Sequence, residues 1–304
     1  MSDLTFPALP YAQWVETKET LHLFLQIIGK IRLKAHPKQN HWWHVTLYPA
    51  ARGLTTGRIP YQGGGFQIDF DMLDHLVLIS RNDGRVESFP AAGKTVAAFY
   101  KSVFEAMERL ELGVAIKAVP YENKSTIPFA EDEEHKIYDR DAVTRFWRAL
   151  CSIASVFERF RGEFAGKQTP VHLYWHSFDL VSTRFSGRAA PLENARTQSD
   201  REAYSHEVIS VGFWPGDDTF PEAAFYGYAY PEPEGLSQTS LSPDAAFWAE
   251  KNGGALAVLK YEDMRQAADP EAALLAFLQS VYMGAAAKAG WKTTDYAHAY
   301  ADRT

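Results

Sequence analysis

Two long stretches of helical periodicity each lead into runs of strand-like alternation and then into a second helical stretch, and this order occurs twice. From Thr17 to Lys34, Leu21, Phe24, Leu25, Ile28 and Ile31 recur at the spacing of one helix face. Trp42 to Tyr48 is aromatic and β-branched, and Phe66 to Met72 alternates apolar Phe66, Ile68 and Phe70 with Gln67, Asp69 and Asp71, so both read as strands. Leu76 to Ser80 and Val86 to Phe89 flank Asn82-Asp83-Gly84, residue types that tolerate positive φ and so predict a hairpin. A helix is expected from Thr95 to Leu112, with Gly113 as its stop.

The segment from Val119 to Asp139 breaks the pattern with Pro120, Pro128 and the acidic run Glu131 to Glu134, and reads as the junction between the halves. Beyond it, a helix from Asp141 to Phe164 carries Phe146, Leu150, Ile153, Phe157, Phe160 and Phe164 as its apolar stripe. Strands are expected at Val171 to Ser182, His206 to Phe213, Ala224 to Tyr230 and Ala255 to Leu259. A last helix is expected from Pro270 to Lys288, capped by Asp269 and closed by Gly290. The predicted fold class is α+β, with mainly antiparallel sheet in two similar helix-strands-helix halves, 1–130 and 131–304, packed as one structural unit. His41-Trp-Trp-His44 with Ala51-Arg-Gly-Leu-Thr-Thr-Gly57 parallels His172-Leu-Tyr-Trp-His176 with Ser182-Thr-Arg-Phe-Ser-Gly187. This parallel allows a duplication about a pseudo-twofold axis, or a coincidence of two α+β units.

Composition narrows the function classes. The chain has 304 residues, 46% hydrophobic and 23% charged, enough for a large apolar core and incompatible with a mainly disordered chain. Its net charge of -7, with no face that concentrates Lys and Arg, argues against nucleic acid and anionic membranes as partners. A single cysteine, Cys151, excludes an intrachain disulfide and reads as a buried thiol. The start Met1-Ser-Asp-Leu-Thr5 lacks the pattern of a signal peptide and no apolar run is long enough for a membrane span, so the expected compartment is the cytoplasm. Trp 8, Tyr 15 and Phe 19 are numerous enough to fill a core or to wall a pocket.

Spacing limits the chemistry. On a strand, His172 and His176 would lie ~13 Å apart and cannot hold one ion, while His41 and His44 would face opposite sides. A metal site would need assembly across strands, for instance from His44, His172 and His206, so no metal is favoured and no cofactor is predicted. Asp69 and Asp71 share a strand face with Gln67 and read either as a cation or acid–base pair or as a solvated face; Asp74-His75 has the same ambiguity. Arg52 and Arg184 sit among Ser, Thr and Gly, with Arg58 and Arg188 just after, a setting suited to a carboxylate or phosphate. The alternative is loop fastening through Asp179 or Glu193. Ser205 and His206 would point to opposite faces of a strand, so they make a poor nucleophile–base pair. The Phe213-Trp214-Pro215-Gly216 turn and the Phe225 to Tyr230 run supply aromatic walls to core or pocket, and the common nucleotide and hydrolase motifs are absent.

His41-Trp-Trp-His44, Ala51-Arg-Gly-Leu-Thr-Thr56, Ser177-Phe-Asp-Leu180, Arg184-Phe-Ser-Gly-Arg188, Tyr204-Ser-His-Glu207, Gly212-Phe-Trp-Pro-Gly216 and Ala229-Tyr-Pro-Glu-Pro233 together resemble the hallmark strings of a bacterial family of unknown function. The resemblance runs from about Leu9 to Trp291. It implies one inseparable unit and brings no activity or cofactor. In that pattern a glycine stands where this chain has His176, which weakens any role for His176.

The leading expectation is a small-molecule pocket between the halves, walled by Trp43, Tyr174 and Trp214, with Arg52 and Arg184 holding an anionic group. His172 would add a polar contact, and His44 and His206 would be acid–base residues if the protein is an enzyme. A non-catalytic binding or interaction protein with a structural polar core is the second reading, and a metal-dependent hydrolase with a cross-strand histidine site the third. Oligomeric state is open.

Overall fold

In a computed structural model, which describes residues 5–190, 197–251 and 253–292, the order of elements follows the sequence pattern. Helix α1 (Val15–Ala35) precedes β1 (Tyr48–Ala50), β2 (Gly53–Thr55), β3 (Ile59–Tyr61), β4 (Gly64–Asp71), β5 (Leu76–Arg81), β6 (Val86–Pro90) and α2 (Val96–Arg109). After the junction come α3 (Arg140–Gly162), β7 (His172–Tyr174), β8 (Asp179–Ala189), α4 (Gln198–Ala203), β9 (His206–Trp214) and β10 (Ala224–Tyr230). The chain continues through β11 (Phe247–Lys251), β12 (Gly254–Lys260), α5 (Tyr261–Arg265) and α6 (Pro270–Lys288).

The fold is α+β with two antiparallel six-stranded sheets. The first has the order β1-β2-β4-β5-β6 with β3 on β4, and the second β11-β12-β10-β9-β8-β7. The edge strands of the two sheets adjoin. Leu47, just before β1, exchanges both backbone hydrogen bonds with Leu173 of β7, at 2.9 and 2.8 Å, so the first strand of one half meets the first strand of the other antiparallel. Helices cover one face of each sheet. Phe24 of α1 stacks on Phe99 of α2 at 3.9 Å between ring centres, above Phe70 of β4, while α3 and α6 pack on β8, β9 and β10. One continuous apolar cluster runs through both halves.

Several boundaries are well marked in sequence. Thr95, Asp139 and Asp269 each accept a backbone N–H in the first turn of α2, α3 and α6, which satisfies donors that have no intrahelical partner. The hairpin between β5 and β6 turns at Gly84, with φ of 92°. Two segments differ from the strand expectation. Trp42 to Tyr48 is mostly a 3-10 turn (Asn40–Val45), in which His41 and Trp42 both take left-handed backbone conformations. Val171 to Ser182 is no single strand either: the chain leaves β7 at Tyr174, turns through Trp175 to Phe178, and re-enters the sheet as β8. The paired histidine strings of the two halves therefore adopt different local structures.

Helix α1 is also more than amphipathic. Every residue from Thr17 to Arg32 is buried, because α2, α3, the 3-10 turn and the 117–124 segment enclose it. Trp175 packs directly against it. The indole lies where a Cβ on Gly29 would stand, 2.2 Å from the ring, and its Nε1 donates to Val45 O at 2.7 Å. No helix among the described residues is long and apolar enough to cross a membrane.

Gly29→Ala must push this indole aside, so we expect a loss of about 1–3 kcal/mol, the cost of overpacking a filled core, read as a lower urea midpoint. An unchanged midpoint would show that the Gly29–Trp175 contact is slack.

A candidate ligand cavity at the seam

Residues at every fourth position of α1, Lys18, His22, Gln26 and Lys30, form one polar stripe down the helix. Three of the four are satisfied by protein groups. Lys18 Nζ pairs with Glu19 at 3.0 Å and donates to Gly216 O at 2.9 Å. His22 Nε2 lies 2.9 Å from Trp175 O. Gln26 exchanges two 2.9 Å hydrogen bonds with the backbone of Tyr121. Lys30 has rings instead: its ammonium lies 5.9 Å from the centre of Tyr121 and 5.5 Å from that of Trp175, and no carboxylate among the described residues pairs with it. Burial, and then the nearby Lys117, lower its pKa.

Lys30 and Lys117 line a cavity of about 540 Å³ between the two halves. One wall is α1 with the 3-10 turn, which contributes Trp43; the other is the open face of the second sheet. Strand alternation decides which side chains reach it. On β8 these are Asp179, Val181, Thr183 and Phe185, and on β10 Tyr226 and Tyr228, while Phe225 and Ala229 face the helices. The floor is a hydroxyl network. Thr183 Oγ1 and Ser210 Oγ are 2.9 Å apart, Tyr204 OH and Tyr228 OH 3.0 Å apart, and both Ser177 Oγ and Tyr226 OH donate to Asp179.

Gly212 makes the last contact possible. A Cβ there would stand 2.3 Å from Tyr226 Cζ, so the bare backbone of β9 lets the Tyr226 ring lie across it and reach Asp179 on β8. Asp179 is only 9% exposed and has no ion pair among the described residues. Burial raises its pKa, against the opposing pull of the Ser177 and Tyr226 hydrogen bonds. Burial also pushes the hydroxyls of Tyr226 and Tyr228 far up, so both remain hydrogen-bond donors at neutral pH.

The residues singled out in sequence separate into three groups. Trp43 and Tyr174 line the cavity, and Trp214 lines an adjoining groove of about 800 Å³ that shares Ser177, Asp179, Tyr204, Tyr226 and Tyr228 with it. Arg52 and Arg184 are elsewhere. Arg52, at the β1–β2 turn, is caught by Asp71 at 2.5 Å and Asp74 at 2.6 Å on the outside of the first sheet. Arg184 points to the opposite face of β8 from Asp179, where its guanidinium lies 3.5 Å from the centre of Phe160 and 4.3 Å from that of Tyr282, and it donates to Phe160 O. Alternation thus rules out the Arg184–Asp179 pairing, and Glu193 lies outside the described residues.

The three histidines do not meet. His44 is buried and accepts from Gln39 N at 3.3 Å. His172 is fully buried beside Tyr48 and Tyr174, and neither ring nitrogen has a partner among the described residues. Ser205 does contact His206, at 3.0 Å to Nδ1, because Ser205 precedes the strand and escapes its alternation. Yet the Ser205 proton goes to Glu202 O at 2.9 Å, which makes the serine an acceptor from the ring and not an activated nucleophile. No group of three or more His, Cys, Asp or Glu among the described residues is placed to hold a metal ion. Gln67 donates to both oxygens of Asp69, and Asp71 caps the following turn, so that strip is internally paired. His75 pairs with Tyr138 OH at 3.1 Å and not with Asp74. Cys151 is half-buried, and burial raises its thiol pKa to about 11, so it stays protonated.

Lys30, Lys117, Ser177, Asp179 and Tyr226 line the cavity without having been named as site residues in sequence. Lys30 looked like an ordinary polar position of a surface helix, and its burial follows only from the packing around α1. A signal for Tyr226 was present, since Tyr226-Gly-Tyr228 alternates opposite Gly212, a site with no side chain to obstruct a ring.

Buried imidazoles set the acid limb of stability. Burial lowers His22 to about 4 and His172 to about 3, and His36, His41, His44 and His75 are lowered for the same first reason. The unfolded chain binds these protons near pH 6.5 and the folded chain does not. Stability therefore falls as pH drops below 6.5 toward the folded values, while the raised carboxyl of Asp179 contributes with the opposite sign. We expect the denaturant midpoint to decline from pH 7 to pH 4.5, and His172→Phe to flatten that decline by up to about 1.4 kcal/mol per pH unit. An unchanged slope in His172→Phe would mean that His172 is hydrated and charged.

Comparison with known proteins adds a family and no chemistry. There is no match among curated proteins or among solved structures. A family model matches residues 6–298. Nearly the whole described fold, with both sheets and the seam cavity, thus falls within one family, and the chain belongs to the family of unknown function DUF5996.

Proposed function

We propose that the protein binds a small anionic molecule in the seam cavity, with Lys30 and Lys117 as the cationic contacts. The observation that carries this reading is the Lys30 ammonium, which faces the cavity from a buried helix position with two aromatic rings and another lysine around it and no carboxylate paired with it among the described residues. An ammonium drawn partly out of water with no anionic partner is disfavoured in its charged form, and an arriving carboxylate or phosphate offsets that cost. The cavity volume suits a metabolite-sized ligand, and its mixture of aromatic walls with a few convergent polar groups is the usual make-up of such sites. Arg52 and Arg184, the anion contacts expected from sequence, are engaged elsewhere in loop and helix packing. The basic groups of the site are lysines, which act as point charges without the fixed fork of arginine.

Trp43 and Trp175 in the wall give a direct readout. Titration with inorganic phosphate, phenylphosphate, benzoate and butyrate should give a saturable change in tryptophan fluorescence for at least one probe. Lys30→Met, which keeps the aliphatic stem over the rings, should weaken that binding at least tenfold with its circular dichroism unchanged. Equal affinity in Lys30→Met would overturn the proposal.

A further inference from the structure

Among the described residues, the cavity is lined by unpaired ionisable groups of both signs, Lys30 and Lys117 on one side and Asp179 on the other. Glu122 is paired with His176 at 2.8 Å, and Asp200 closes the capping box of α4 with Thr197. Lys30 and Asp179 have no such partner among the described residues, and they line the same cavity without contacting one another. They are reached from opposite sides of the Trp175 turn: Lys30 lies over the indole, while Ser177 and Asp179 follow it into β8.

The surroundings of Asp179 suit an ammonium. Ser177 and Tyr226 both donate to its carboxylate, which fixes its oxygens but supplies no positive charge. Tyr226 and Tyr228, with ring planes 14° apart and centres 6.2 Å apart, and Tyr204, hydrogen-bonded to Tyr228, stand beside it on the cavity wall. Aromatic faces carry negative charge density and attract alkylammonium groups, most of all where water is excluded. The Trp214 ring in the adjoining groove already carries such a cation, the Lys251 ammonium, 5.3 Å from its centre. Burial has raised the Asp179 carboxyl, which has no ion-pair partner among the described residues, and an entering ammonium would favour its ionised form. His176, an imidazole near Asp179, is already engaged by Glu122 at 2.8 Å.

We infer that the ligand is a zwitterion, an amino acid or amino-acid-like molecule whose carboxylate lies at Lys30 and Lys117 and whose ammonium lies at Asp179 among Tyr204, Tyr226 and Tyr228. This rests on the anion-binding reading above and adds the second pole. A purely anionic ligand would satisfy the lysines and leave Asp179 buried beside its own negative charge, whereas a zwitterion answers both groups at once.

The test is calorimetric titration of the full chain with matched pairs: 4-aminobutyrate against butyrate, 5-aminovalerate against valerate, 6-aminohexanoate against hexanoate, and phenylalanine against 3-phenylpropionate. At least one amino compound should bind tenfold or more tightly than its des-amino partner. Asp179→Asn should bring that ratio close to one while it keeps carboxylate binding, and Lys30→Met should weaken both members of the pair. The wild-type comparison does not depend on either variant folding. Pairs that bind equally well through Lys30 would overturn the zwitterion and leave the anion site standing. If no amino compound binds, or if binding ignores Lys30, the zwitterion assignment fails, and in the second case the anion site fails with it.

Discussion

The indole of Trp175 is the contact on which the rest of the arrangement turns. It fills the notch at Gly29 of α1 and ties the end of the 3-10 turn through Val45 O. Two residues upstream, Leu173 forms the backbone bridge to Leu47 that joins the sheets. One side chain thereby fixes the central helix, the aromatic turn and the second sheet relative to one another. The cavity exists because these three parts are held apart on the far side of the indole by Lys30, Trp43 and Tyr174, which do not fill the space between them. Removal of the notch would move the wall and the lysine together.

The burial of α1 explains why polar groups accumulate at the seam. A helix enclosed on all sides normally carries apolar residues throughout, yet this one keeps Lys18, His22, Gln26, Lys30 and Arg32. Each needs a partner from the surrounding layers. Arg32 donates to Thr56 O and to Tyr48 OH, Gln26 pins the 117–124 segment, and His22 holds the Trp175 turn. These bonds fix the register of the layers around the helix, a role for which buried polar groups are suited since a shifted register leaves them unsatisfied. Lys30 departs from that rule, and the departure falls at the cavity. A position where local consistency fails inside an otherwise satisfied stripe is where function is expected to reside.

Much of the fold was legible because its signals are local. The ends of α6 were marked by Asp269, Pro270 and Gly290, and the β5–β6 hairpin by Asn82-Asp83-Gly84, so propensity and tertiary structure agree there. The 3-10 turn at His41 and Trp42 was not legible, because aromatic residues favour strands in general and the left-handed conformations here accompany tertiary contacts with β8, α4 and Lys167. The site was legible in part. Trp43, Tyr174 and Trp214 were marked by aromatic density, which points to walls without saying which face they line. Arg52 and Arg184 carried the expected chemistry in the wrong places: strand alternation turned Arg184 toward α3 and α6, and two aspartates distant in sequence from Arg52 hold it outside. Lys30 and Asp179, which do face the cavity, sit in stretches whose sequence reads as ordinary helix and ordinary strand. Their exposure to a common space is a property of the layers and has no sequence motif.

In the proposed function, the Lys30 ammonium is an open anion site at the junction of the halves. Bromide soaked into crystals of the protein tests it most directly, since the ion is small, scatters anomalously and needs no knowledge of the natural ligand. An anomalous peak is expected inside the cavity, at the Lys30 ammonium between the rings of Tyr121 and Trp175. Bromide found only at surface lysines and arginines, with none beside Lys30, would contradict it.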